Sequence, residues 1–207
     1  MASPPSGYRY DVFISYKRMA KVERWIDQIF LNQLRDHLEL ELGRVPQIFL
    51  DRSALRVGDV WKTEISTALR QSRCLVAVLS ASYFRSTWCV AEWETFRIRA
   101  ELERMMEKGH GLAIPIRWHD GDSFPKSVRS ITEVDFTNYA VTAKYFLDSP
   151  LAMDFEIAVG KMCEHLAQKI SAAPDYSDAW PVVDPDGVSF NPPQSSDWSY
   201  KLLGDDT

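Results

Sequence analysis

Five short apolar runs, set apart by stretches of helical period, organise the first 170 residues of this chain. The runs are YDVFISY (Tyr10 to Tyr16), QIFL (Gln47 to Leu50), CLVAVLS (Cys74 to Ser80), LAIPI (Leu112 to Ile116) and TEVDF (Thr132 to Phe136). Most are continuous rather than alternating, as strands buried on both faces are. Pro115 cannot donate to a ladder, which places the fourth strand near an edge or at a bulge. From Val22 to Leu42 the apolar positions Val22, Trp25, Ile26, Ile29, Phe30, Leu34, Leu38 and Leu42 form an i, i+3, i+4 stripe, closed by Gly43 as C-cap with Pro46 beyond. A second helix is predicted from Asp59 to Ser72, after a turn at Gly58. A third runs from an N-cap at Thr87 to about Met106, and Phe155, Val159, Met162, Leu166 and Ile170 mark a last one.

Strands alternating with helices predict an α/β fold, a flavodoxin-like doubly wound five-stranded parallel sheet of order 2-1-3-4-5. Ligands of such sheets bind beyond the carboxyl ends of the strands, at the switch between the first and third. That rule selects Ser15, Tyr16, Lys17 and Arg18 after the first strand, and Ser82, Tyr83 and Phe84 after the third. The latter lead into a helix that begins TWCVAEWE, in which Trp88 and Glu92 are one turn apart and share a face. A flat aromatic beside a carboxylate suits a flat, positively charged ligand better than it suits a core. Glu94 lies about 200° round the helix from Glu92, off the Trp88 face.

After Ser171 the pattern changes. Residues 172–207 are rich in Pro, Asp and Ser and have no sustained periodicity, so they read as a C-terminal extension to a domain spanning 8–171. Its Trp180, Val182, Val183 and Trp198 either dock on the domain or a neighbour, or belong to a disordered tail. No apolar run approaches the roughly 18–20 residues that span a bilayer, and the N-terminus lacks the layout of a secretory signal, so a cytoplasmic protein without membrane contact is expected.

Composition narrows the chemistry further. The formal net charge is -5 and the pI about 5.4, without the basic face of a nucleic-acid binder. Cys74, Cys89 and Cys163 are few, scattered and in apolar settings, as reduced buried thiols are. His119 with Asp120 and Asp122 reads as a polar Asp-Gly turn, since no matching ligand cluster appears elsewhere; no metal is expected. There is no P-loop, no G-x-G-x-x-G and no G-x-S-x-G elbow.

The ordered set YDVFISYKR, FLDRSALRVGDVW, SRCLVAVLSASYFRSTWC and WCVAE resembles the Toll/interleukin receptor (TIR) domain family, over roughly residues 8 to 170. The first piece resembles that family's first strand and loop, the second its second strand and BB loop, and the third its third strand and following turn. WCVAE resembles the W-C-x-x-E signature of the enzymatic branch found in plant immune receptors and bacterial defence proteins. The resemblance implies an NAD+ nucleosidase, a glycohydrolase or cyclase with NAD+ as substrate and no added cofactor, in which Glu92 is catalytic and Trp88 packs near the nicotinamide. It also implies activation by self-assembly into a homo-oligomer or filament, an antiphage or immune role, and a separate sensor protein as partner.

With NAD+ as ligand, Lys17 and Arg18 are the candidates for its pyrophosphate. Ser15 either hydrogen-bonds the ligand or caps a turn. Tyr83 is carried as a substrate-binding candidate, although its place suits packing, as does that of Phe84. Asp51, Arg52, Leu55, Arg56 and Gly58 fall in the BB-like loop, where they line the cleft or form a subunit contact. Trp61 reads as core. Two other functions remain open at this point: a non-catalytic scaffold that binds other TIR domains through the loop, and a nucleoside-type glycosyl transferase.

Overall fold

The computed structural model describes residues 7–51, 59–105, 111–119, 124–125, 128, 134–143, 145–190 and 198–204. Its central sheet has five parallel strands: β1 (Tyr10–Tyr16), β2 (Ile48–Leu50), β3 (Ser72–Leu79), β4 (Ala113–Arg117) and β5 (Val134–Asp135). Their order is β2-β1-β3-β4-β5, as the alternating pattern predicts. In register, Val12 faces Ile48 on one side and Cys74 on the other, and Val76 faces Ile114. Pro115 sits on the last strand but one. The pairing of β4 with β5 takes in Ile116 and Arg117 and leaves the proline out, so its missing N–H costs that ladder nothing.

The helices follow the apolar stripes with three differences, the simplest being that the helix expected to end at Ser72 ends at Arg70, since Ser72 opens β3. The stretch after β1 is not one α-helix: α1 (Ala20–Trp25) passes into a π-helical segment (Ile26–Phe30) before α2 (Leu31–Leu42). Ile29, Phe30 and Leu31, at the end of that segment and the start of α2, are all buried. Gly43, at φ 64, caps α2 in the left-handed conformation. α3 (Asp59–Arg70) is followed by α4 (Thr87–Leu102), whose N-cap is Ser86 rather than Thr87. Ser86 has the extended backbone of a cap while Thr87 is already helical. α5 (Pro150–Ala172) starts with proline at its first position, where no N–H is needed.

Core packing is dense in aromatics on one side of the sheet. Trp25 stacks on Phe30 at 4.9 Å, contacts Phe136 and Phe155 edge-on, and donates its indole N–H to Tyr139 O at 2.7 Å. All three cysteines are free and buried. Among the described residues no helix is long and apolar enough to cross a membrane.

Residues beyond α5 form a second, antiparallel sheet, β6 (Val183–Phe190) with β7 (Trp198–Leu202). Of the two dispositions that the sequence leaves open, docking on the domain is the one observed for Trp180, Val182 and Val183, which are buried. The backbone N–H of Val183 donates to Thr95 Oγ1 on α4 at 3.0 Å.

Candidate active site

The carboxyl ends of β1 and β2 and the first turns of α3 and α4 enclose a cleft of about 210 Å³. Phe13, Ile14, Tyr16, Lys17 and Arg18 line it from β1 and the loop after it, Asp51 from the end of β2, and Trp61 from α3. α4 supplies Trp88, Cys89 and Glu92, with Ser86 at its cap. A parallel sheet delivers these residues together because every strand ends on the same side.

Glu92 lies at the floor, 8% exposed. The hydroxyl of Ser15, at the end of β1, donates to Glu92 Oε2, and Ser15 in turn lies 2.5 Å from the phenol oxygen of Tyr83. Burial, with Cys89 and Glu92 nearby, raises the Tyr83 phenol well above its ordinary value, so it stays protonated. Tyr83 therefore donates to Ser15 and Ser15 to the carboxylate, a relay that aims Glu92. Burial is also the main influence on Glu92 itself. It raises the carboxyl from 4.5 to about 8; Ser15 and Arg18 pull it down, and Asp51 pushes it up. Cys89 beside it is raised by burial and then by Glu92, so its thiol is no nucleophile at neutral pH.

Two tryptophans form the aromatic wall. Trp61 and Trp88 stand 4.2 Å apart between ring centroids, tilted by 47°. Trp61 donates its indole N–H to Asp51 Oδ2 at 3.2 Å, and Arg18 pairs with the same carboxylate at 2.5 Å while lying over the Trp61 ring at 5.8 Å. Tyr16 donates to Asp51 O at 3.2 Å.

The structure thus brings Trp88, Glu92, Lys17, Arg18 and Asp51 to one cleft. Ser15 and Tyr83 lie beneath it, tied to Glu92 rather than lining the opening. Trp61, which reads as core at the start of its helix, is half-buried in the cleft wall against Trp88. Arg52, Leu55, Arg56 and Gly58 lie outside the described residues, as do Asp120 and Asp122. Glu94 belongs elsewhere. It is 2% exposed and bonded to Arg97, which also reaches Glu101 and Tyr200. Among the described residues there is no cluster of three or more His, Cys, Asp or Glu fit to hold a metal.

Comparison with known proteins supplies the relatives of this cleft. A family model described as TIR domain matches residues 12–146. The disease resistance protein RPP4 of Arabidopsis thaliana is 29% identical over 115 residues, covering 56% of this chain and 9% of that protein. The disease resistance protein RUN1 of Vitis rotundifolia is 30% identical over 142 residues, or 69% of this chain and 10% of that one. The 2' cyclic ADP-D-ribose synthase AbTIR of Acinetobacter baumannii is 28% identical over 116 residues, or 56% of this chain and 37% of the other. These alignments take in well under half the length of each relative. A parallel sheet of order 2-1-3-4-5, and a match that includes every cleft residue from Phe13 to Glu92, place the chain in one family: it belongs to the TIR domains.

Proposed function

We propose that this TIR domain cleaves the bond between nicotinamide and ribose in NAD+. The observation that carries the reading is Glu92: a carboxyl kept in a nearly closed floor, aimed by Ser15 and one helical turn from Trp88. Burying such a group without a neutralising partner at its side is costly for folding, and its retention calls for a chemical use.

The nicotinamide ring of NAD+ is flat and cationic. Trp88 offers it a π-face, a contact worth about 0.5–2 kcal/mol. When the C1'–N bond breaks, its electron pair goes to the ring nitrogen, so nicotinamide leaves neutral and needs no general acid. Positive charge then develops on the ribose as an oxocarbenium-like centre. Glu92 as carboxylate stabilises that charge and takes the proton from whatever oxygen adds to C1'. Water gives ADP-ribose; an oxygen of the dinucleotide itself gives a cyclic product. AbTIR, by its name, makes a product of the second kind. Lys17 and Arg18 at the rim hold the pyrophosphate, and for Arg18 this means exchanging Asp51 for a phosphate.

The cleft is smaller than the roughly 300–1,000 Å³ that encloses a whole drug-sized ligand, and it takes one end of the dinucleotide. Activation by self-assembly, with a second copy of this chain meeting the rest of the dinucleotide, is part of the same proposal. A defence role is in keeping with the names of the plant relatives, which are disease resistance proteins. A scaffold without chemistry has no need of a desolvated carboxyl, so that reading is the weaker one.

The test is nicotinamide release from NAD+ by the purified chain beside Glu92→Gln. Release that falls at least about a hundredfold in a variant that still folds is the expected outcome. Equal release by both would remove Glu92 from the chemistry. No release at any protein concentration, with crowding added to force assembly, would favour the scaffold.

A further inference from the structure

Trp61 and Lys62 are neighbours in the first turn of α3 and face different ways. Trp61 lines the cleft, while Lys62 reaches the C-terminal hairpin, where its ammonium pairs with Asp184 at 2.6 Å and Asp186 at 2.7 Å. The hairpin is itself fastened to α4. Val183 N–H donates to Thr95 Oγ1, and Arg97 donates to the Tyr200 hydroxyl at 3.0 Å. The far end of α3 is anchored separately. Arg99, fully buried on α4, donates to Leu69 O at 3.0 Å and to Ser72 O at 2.7 Å, and Arg70 Nε donates to Trp180 O at 3.2 Å. α3 is therefore pinned at its C-terminal end, and its first turn is held toward the hairpin by Lys62.

That first turn governs the aromatic wall. With centroids 4.2 Å apart, Trp61 and Trp88 leave no room for a ring between them, since an inserted ring needs a stacking gap of about 3.5 Å on each side. A swing of the start of α3 about its anchored end would carry Trp61 away from Trp88 and open the slot. Among the groups that resist this swing are the Lys62 ion pairs and the bond from Trp61 to Asp51, beside the packing of Ile65, buried one turn further on.

We propose that the C-terminal hairpin is a clasp on the cleft: through Lys62 and Asp184/Asp186 it holds α3 inward, keeps Trp61 against Trp88, and keeps the aromatic slot beside Glu92 shut. The ligand of that slot rests on the NAD+ reading above; the clasp itself does not. Lys62 is a positioning residue, since it acts through Trp61 and touches no substrate. A slot that is open only part of the time weakens apparent affinity by the fraction open, and leaves the chemical step in the open form unchanged.

The test uses the full chain with Lys62→Ala, which removes the clasp, and Lys62→Arg, which keeps it. Without ligand, hydrogen exchange is expected to quicken severalfold in Lys62→Ala at the amides of residues 63–66, which bond back to the carbonyls of the first turn of α3, and to stay at the native rate in Lys62→Arg. Equal rates in all three proteins would overturn the clasp. With NAD+, Lys62→Ala is expected to lower KM up to about fivefold at unchanged kcat, the range that an exposed ion pair can bias. A raised KM, or a loss of kcat, would overturn it as well and would make the hairpin a mere support of the site. If the wild-type chain releases no nicotinamide, the NAD+ reading fails by itself, and the exchange rates still decide the clasp.

Discussion

Glu92 carries both a cost and a use, and the two are measurable through pH. Its carboxyl titrates near 8 in the folded chain against 4.5 without the fold. Between those values the native state holds a proton that the unfolded state has released, so stability falls as pH rises from about 4.5 to about 8 and is level above. Glu92→Gln removes that loss. The variant is expected to match the native chain in denaturant melts at pH 5, and to exceed it at pH 8.5 by on the order of a few kcal/mol. On the proposed mechanism activity runs the opposite way, the carboxylate being the working form: kcat/KM is expected to climb with pH and level off above about 8. The wall contributes through affinity. Trp88→Ala is expected to raise KM for NAD+ by about 3- to 30-fold, the equivalent of one cation–π contact, as initial rates would show. At this scale Trp88 and Glu92 are legible in the sequence, since i, i+4 spacing fixes a shared face whatever the fold. Trp61 and Ser15 are not. Their roles consist of contacts with Trp88 and with Glu92 and Tyr83, partners far away in the chain.

Among the elements, strands buried on both faces announce themselves, and β1 runs from Tyr10 to Tyr16 as its apolar run predicts. The hairpin does not. β6 reads VDPDGVSF, with a proline and a glycine in mid-strand, features that argue against a strand in any larger sheet. In a two-stranded sheet each strand keeps one free edge, and the register shifts between Asp184 and Ser189, so Pro185 has no ladder to break. Gly187 is needed there for space: a Cβ at that position would come within 2.9 Å of Lys201 Cβ. What keeps the hairpin in place is side-chain chemistry on α4. Thr95→Val would leave the buried Val183 N–H without its acceptor while preserving shape, at an expected cost of about 1–3 kcal/mol in denaturant unfolding. The π-helical segment after α1 is similarly hidden, because the apolar stripe through Trp25, Ile29 and Leu34 reads as one continuous helix.

At the scale of the whole molecule, the cleft that holds Glu92, at about 210 Å³, is small for a dinucleotide. If a second copy completes it, nicotinamide release is expected to rise more than linearly with protein concentration, and a strictly linear rise over a wide range would mean that each chain works alone. By itself the sequence determined the strands, most of the helices and the Trp88–Glu92 pair, because those follow from local periodicity, and it pointed to the sheet order through the usual order of a doubly wound sheet. Only the tertiary structure decided that Ser15 aims Glu92, that Trp61 closes on Trp88, and that residues after 172 return to grip α3 and α4. The physical reason is common to all three. Each rests on one or two specific contacts between segments far apart in the chain, and such contacts leave no period behind in the sequence.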